Sequence, residues 1–236
     1  FNTVLENLHD YTEYLRTLKR TLVHELRTPL STIFTSLENL EHEPASNSQL
    51  PYLKRLRRGT EHLENILNRM AEANQVERTI EDEPKEAVDL KQLLEGAVRT
   101  YRDTHADRMF EWQCTLSAAT ILGSPDLMLQ MLDKLVNNAV DFSPPGSKIG
   151  VELKRTDKEL CISISSRGPV LPQTMRDKLF DSLVSVREGN REGEHLGLGL
   201  YIVNLIVEFH EGRRRADNLP DGSGVIFKIY LPDTFS

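Results

Sequence analysis

The 236-residue chain has only two cysteines, Cys114 and Cys161, and no C-x-x-C pair. Two thiols so far apart exclude a disulfide framework and a cysteine-ligated zinc site, and suit buried packing in a reducing compartment. Long apolar runs are missing as well. None approaches the ~18 residues of a membrane span, so the chain itself is not expected to be membrane-inserted. Basic excess is also lacking: 29 Lys and Arg stand against 36 Asp and Glu, a net charge of −7. That balance argues against a general nucleic-acid binder, and one candidate basic patch, Lys54-Arg55-Leu56-Arg57-Arg58, reads as a solvated helix face. The chain opens on Phe1 with neither an initiator Met nor a signal-like segment. It therefore reads as a cytoplasmic fragment of a longer protein, and any membrane or sensing portion would lie upstream. A 39% hydrophobic and 28% charged composition is that of a folded soluble protein with room for one large or two small domains.

Two halves differ in period. Over residues 1–77, Leu8, Leu15 and Leu22 recur every seven residues, with Tyr11 and Leu18 between them, as in a coiled coil or helical bundle. Past Leu22 the stripe moves to Leu26, Leu30, Ile33, Leu37 and Leu40, which widens the apolar face. Pro44 and a polar run break the helix, and a second series follows at Leu53, Leu56, Thr60, Leu63, Leu67 and Met70. One antiparallel hairpin cannot bury two such stripes, whereas two copies can as a four-helix bundle, so a homodimer is expected. Residues 78–87 are charged and read as a linker. From 88 to 236 the pattern predicts strands near 87–90, 110–116, 120–122, 149–154, 159–165 and 225–231. Helices are predicted over 93–101, 198–209 and from the Ser124-Pro125-Asp126 start to Phe142. These elements suit a two-layer α/β sandwich with helices on one face.

Four stretches carry candidate chemistry. His24-Glu25 suggests a zinc motif, but the second His required four residues on is Thr28, so the zinc reading fails. The heptad frame places His24 off the seam, toward water. An imidazole there, with Glu25 to take or orient a proton and Arg20 and Arg27 nearby, is equipped for nucleophilic phosphoryl chemistry. Alone, it also fits a solvated surface histidine. Asn137-Asn138 near a helix end fits either capping or an amide-oxygen ligand for Mg²⁺. Gly197 and Gly199 just before a long amphipathic helix fit either a phosphate cradle or close packing. Ser165-Ser166-Arg167-Gly168-Pro169 is a turn by composition.

In this order the stretches resemble the sensor histidine kinases of bacterial two-component systems, over nearly the whole chain. "HELRTPLSTI" is similar to that family's H box, "LDKLVNNAVDFS" to its N box, "SSRGPVLP" to its G1 box, "LFDSL" to its F box and "LGLGLYIV" to its G2 box. The resemblance implies a dimerisation and phosphoacceptor domain over 1–77 and an ATP-binding catalytic domain over 88–236. ATP and Mg²⁺ would be used, with the γ-phosphoryl passing to His24 and then to an aspartate of a cognate response regulator. It implies Glu25 as acid/base and Thr28 as the residue that positions water for dephosphorylating the regulator. Asn138 would be the Mg²⁺ ligand, Phe142 the aromatic on the adenine, and Gly168, Gly197 and Gly199 the loop glycines. The implied location is the cytoplasmic side of a bacterial inner membrane.

The chain departs from the family's pattern at Lys134 (usually Asn), Asp141 (usually basic), Ser166 (usually Asp), Val170 and His195 (both usually Gly). Lys134 can meet a phosphate as a point charge. Ser166 can accept from the adenine amino group without a charge, a loss of about 1 kcal/mol. Weaker ATP use than in a motif-complete kinase is expected. The alternatives are a kinase-impaired dimer that keeps a phosphatase or docking role, and an ATP-driven conformational machine sharing the nucleotide fold. The intact H box speaks against the last.

Overall fold

The computed structural model describes residues 26–40, 50–156, 159–175, 179–180 and 198–234. The heptad seam from Leu8 to Leu22, together with His24, Glu25, His195 and Gly197, lies outside the described residues.

Residues 26–40 are helical (α1) and pack beside α2, Leu50–Asp82. The two helices approach closely at Gly59, where a Cβ would lie 2.7 Å from Ile33 Cγ1 and 3.2 Å from the Pro29 carbonyl oxygen. The inward row of α2 is Gly59, His62, Ile66, Ala73 and Val76. Its other apolar row stays uncovered in the single chain, with Leu53 52% and Leu67 60% exposed; on α1, Leu30, Phe34 and Leu37 are exposed too. Two apolar rows on one hairpin with only one buried is what the sequence pattern anticipates of a chain that pairs with a second copy.

Helix α2 runs to Asp82, so residues 78–82, read from composition as linker, are helical. Their charges deceive: Arg78, Glu81 and Asp82 face solvent, while Ile80 continues the inward row and packs on the core. After three residues the chain forms β1 (Glu86–Asp89), which pairs antiparallel with β3 (Thr120–Gly123). Between them come α3 (Leu90–Thr104), capped by the Asp89 carboxylate accepting from the Gln92 N–H, and β2 (Met109–Cys114). Helix α4 (Pro125–Phe142) starts as its sequence dictates, with the Ser124 hydroxyl accepting from the Leu127 N–H and Pro125 in the first turn.

The main sheet has the order β2-β4-β5-β7-β6, with β4 Lys148–Thr156, β5 Glu159–Arg167, β6 Arg213–Asn218 and β7 Gly224–Pro232. Only the β2–β4 pair is parallel. Alternation assigns Ile149, Val151 and Leu153, Ile162 and Ile164, and Phe227, Ile229 and Leu231 to one buried face. Buried Leu94, Leu132, Leu135, Ile202 and Ile206 of α3, α4 and α5 (Leu198–Phe209) complete this core, each such side chain contributing about 1.5–3 kcal/mol. Glu152, Lys154, Lys228 and Tyr230 occupy the other face. This is the expected two-layer sandwich.

Strand β6 was not legible in composition. Arg213-Arg214-Arg215-Ala216-Asp217-Asn218 is a poor strand former, with only Ala216 fully inward. Tertiary pairing overrides propensity: the Arg213 guanidinium bonds both Glu159 carboxylate oxygens and lies 3.6 Å from the Tyr230 ring centre, and Arg215 pairs with Asp217 at 2.8 Å. Charges along an edge strand also deter pairing with a further strand.

Candidate functional site

Helix α4 carries three of the sequence candidates on one element. Lys134 and Asn138 are half-buried one turn apart, and Phe142 follows one turn later. At this end the helix meets the turn after β5. Gly168 has φ +159° and its Cα rests on the Phe142 carbonyl, so a Cβ would lie 2.3 Å from that oxygen. The Gly168 N–H donates to the Ser223 carbonyl at 3.0 Å. Ser166, the last inward residue of β5, is buried between Ile149 of β4 and Val225 of β7. Beyond the turn, Asn218 imitates a strand: its Oδ1 accepts from the Leu171 N–H at 2.7 Å and its Nδ2 donates to the Leu171 carbonyl at 3.0 Å. Phe142 and Gly168 therefore meet, with Ser166 two residues before Gly168 on β5.

Gly199 is the second residue of α5, not a residue ahead of it, and a Cβ there would meet nothing within 4 Å. Open space over a first-turn glycine, on a helix packed along α4, fits the approach of an anionic ligand to backbone N–H groups. Leu179 and Phe180 are buried, Phe180 edge-on to Phe227 with ring centres 6.0 Å apart.

Among the described residues no cluster of three or more His, Cys, Asp or Glu could hold a metal ion. Asn138 offers one amide oxygen, which fits an ion taking most of its shell from phosphates and water, as Mg²⁺ does.

The hairpin reaches this site through α2. Glu72 Oε1 pairs with Lys134 Nζ at 2.5 Å and accepts from Gln130 at 3.4 Å. Glu77 accepts from the Tyr201 hydroxyl at 2.8 Å, and just past the helix Glu83 accepts from the Ser124 hydroxyl at 2.6 Å. Three glutamates thus engage α4, α5 and the cap of α4 around the apolar seam of Ala73, Val76 and Ile80. None was anticipated from sequence, since a glutamate on a charged helix has no pattern that marks its partner.

His210, at the C-terminal end of α5, joins the same junction. Its Nε2 accepts from the Ser124 N–H at 3.1 Å, which leaves the proton on Nδ1 to donate to the Ile206 carbonyl at 2.7 Å. Burial pushes this imidazole below its usual range against the pull of the Ile206 bond, and the charge of Lys85 adds to the depression.

Thr28 lies on α1 with Arg27, Ser31, Thr32, Thr35 and Ser36, which with Arg55 of α2 line an open groove. The Thr32 hydroxyl donates to the Thr28 carbonyl at 3.1 Å, and that of Ser36 to the Thr32 carbonyl at 2.6 Å. The groove opposes the exposed row of Leu30, Phe34 and Leu37, so polar and apolar faces of α1 are separated by helical spacing.

Residues 14–79 match the family described as the His Kinase A (phospho-acceptor) domain, and residues 123–234 match the Histidine kinase-, DNA gyrase B-, and HSP90-like ATPase family. The sensor protein kinase WalK of Staphylococcus saprophyticus is 27% identical over 95% of this chain, which spans 38% of that relative's length. The mycobacterial sensor histidine kinase MprB is 27% identical with a TM-score of 0.54, over 63% of this chain and 97% of that one. The histidine kinase ThkA, solved in complex with the response regulator TrrA, has a TM-score of 0.72 over 96% of this chain and 64% of that one. At 18% identity it establishes likeness of fold.

Proposed function

We propose that the chain, as a member of the sensor histidine kinases of bacterial two-component systems, transfers the γ-phosphoryl of ATP to His24 and then to an aspartate of a response regulator. The observation that carries the reading is the union, on one chain, of a phosphoacceptor hairpin and an ATPase sandwich, with α2 joining them by direct contacts to the helix that bears Asn138.

A neutral ring nitrogen of His24 attacks the γ-phosphorus, the bond to the β,γ-bridging oxygen breaks, and ADP leaves with that electron pair. Glu25 takes or orients the proton on the other ring nitrogen. Asn138 would supply an amide oxygen to Mg²⁺, whose charge would offset that of the phosphates. Phe142 would pack on the adenine, Ser166 would accept from its amino group, and Gly168, Gly197 and Gly199 would let backbone approach the nucleotide. Lys134 would meet a phosphate. The acceptor carboxylate then attacks the phosphohistidine and regenerates His24. Thr28 would position water for the reverse signal, hydrolysis of the regulator's acyl phosphate. Two copies would pair through the uncovered rows of α1 and α2, on the cytoplasmic side of the membrane.

Incubation with labelled ATP and Mg²⁺ tests this. Acid-labile, base-stable label is expected, lost in His24→Ala and retained in Thr28→Ala, which should instead slow dephosphorylation of the regulator. Label surviving in His24→Ala refutes the acceptor. Nucleotide binding without label supports a kinase-impaired docking dimer, and phosphate release without a phosphoprotein supports an ATPase.

A further inference from the structure

We propose that Arg108 is a positioning residue for the nucleotide, acting through the backbone on either side of Phe142. The inference rests on the reading of Phe142 as the adenine-contacting residue.

Arg108 stands just before β2, and its side chain is only 7% exposed. Its Nη2 donates to the Val140 carbonyl at 3.2 Å and to the Ser143 carbonyl at 3.1 Å, and its Nε donates to the Ser143 hydroxyl at 3.2 Å. These acceptors lie two residues before Phe142 and one after it. The remaining nitrogen, Nη1, is held by the Asp107 carboxylate. The segment bearing Arg108 is itself tied to the loop that follows α4: the Gly146 N–H donates to the Asp107 carbonyl at 2.8 Å and the Met109 N–H to the Ser147 carbonyl at 3.1 Å. The Phe142 carbonyl meets Gly168. The backbone at Phe142 is thus held by a guanidinium on its flanking groups and by a glycine on its own carbonyl.

Electrostatics favours a cation here. The last turn of α4 has no basic residue, and Asp141 puts a carboxylate at the negative end of the helix dipole. Arg108 brings the compensating charge from outside the helix. Its planar fork reaches three acceptors at once, which an ammonium on a flexible stem does less well. The orientation of an aromatic ring follows its backbone, so loosening this end of α4 degrades the surface offered to the base before it affects phosphoryl transfer.

The test uses the full chain, titrated with Mg-ATP. Arg108→Met is expected to weaken ATP binding about tenfold. Autophosphorylation at saturating ATP should stay within about twofold of the unsubstituted chain. Arg108→Lys should recover part of the affinity, and Ser143→Ala should lose about twofold. Unchanged affinity in Arg108→Met while the unsubstituted chain binds ATP overturns this inference alone, as does a slower saturated rate at unchanged affinity. An unsubstituted chain that binds no ATP overturns the proposed function and this inference with it. Should Arg108→Met not fold, Ser143→Ala decides by the same affinity criterion.

Discussion

Glu72 Oε1 lies 2.5 Å from Lys134 Nζ, so a carboxylate of α2 holds the one cation that α4 presents beside Asn138. The side chains are 34% and 22% exposed, which limits the pair to about 0.5–1 kcal/mol. If a phosphate uses the same ammonium, the two anions compete for it. Glu72→Gln should therefore tighten ATP binding about two- to fivefold, and Lys134→Ala should weaken it. The double substitution should behave as Lys134→Ala alone in a nucleotide titration. Equal affinity in Glu72→Gln and the unsubstituted chain would show that Lys134 does not serve both partners.

Ser166→Asp should raise ATP affinity by about 1 kcal/mol, roughly fivefold, by restoring a charged acceptor for the adenine amino group. Ser166 is 9% exposed, so without nucleotide the new carboxylate is poorly solvated and the melting temperature should fall. Calorimetry with and without ATP reads both effects. A variant that loses stability and gains no affinity would remove Ser166 from the adenine site.

His210 predicts a pH dependence of stability. Its folded pKa is depressed, chiefly by burial, so the imidazole is neutral in the native state. Above about pH 6.5 folded and unfolded chains agree in protonation at this position. As pH falls from there toward the depressed folded value, only the unfolded chain gains the proton, and stability is lost. The charges nearby are Lys85, Glu211 paired with it at 2.8 Å, and Glu83 across Ser124. Lowered carboxylate values at Glu159, Glu211 and Asp221 place their own titrations at lower pH. Urea unfolding between about pH 7.5 and 5.5 should show a smaller loss in His210→Gln than in the unsubstituted chain. An identical loss in both would clear His210 of this role.

If two copies pair as proposed, Leu53→Asp with Leu67→Asp should convert that dimer to monomer in sedimentation while leaving the sandwich folded. Both leucines are more than half exposed in the single chain, so a charge there costs little unless a second copy covers them. A dimer that survives both substitutions would place the interface elsewhere.

Local pattern was enough for most elements. The start of α4 was readable because Ser124 and Pro125 act within their own turn, and α5 because its apolar residues follow the helical period. Alternation marked β4, β5 and β7 and their buried face. Of the motif residues, the fold brings Phe142 and Gly168 into contact, while His24, Glu25 and Gly197 lie outside the described residues.

By itself the sequence determined the helical hairpin, the sandwich, their order and the family, because these depend on periodicity, caps and short motifs that act between near neighbours. Tertiary structure decided the rest. It made Arg213-Arg214-Arg215 an edge strand, carried α2 through a charged stretch to Asp82, and set Glu72 against Lys134, Arg108 against the end of α4, and Ser124 against His210. Each of these joins residues distant in the chain, and a charge or a donor carries no local sign of which distant partner will satisfy it.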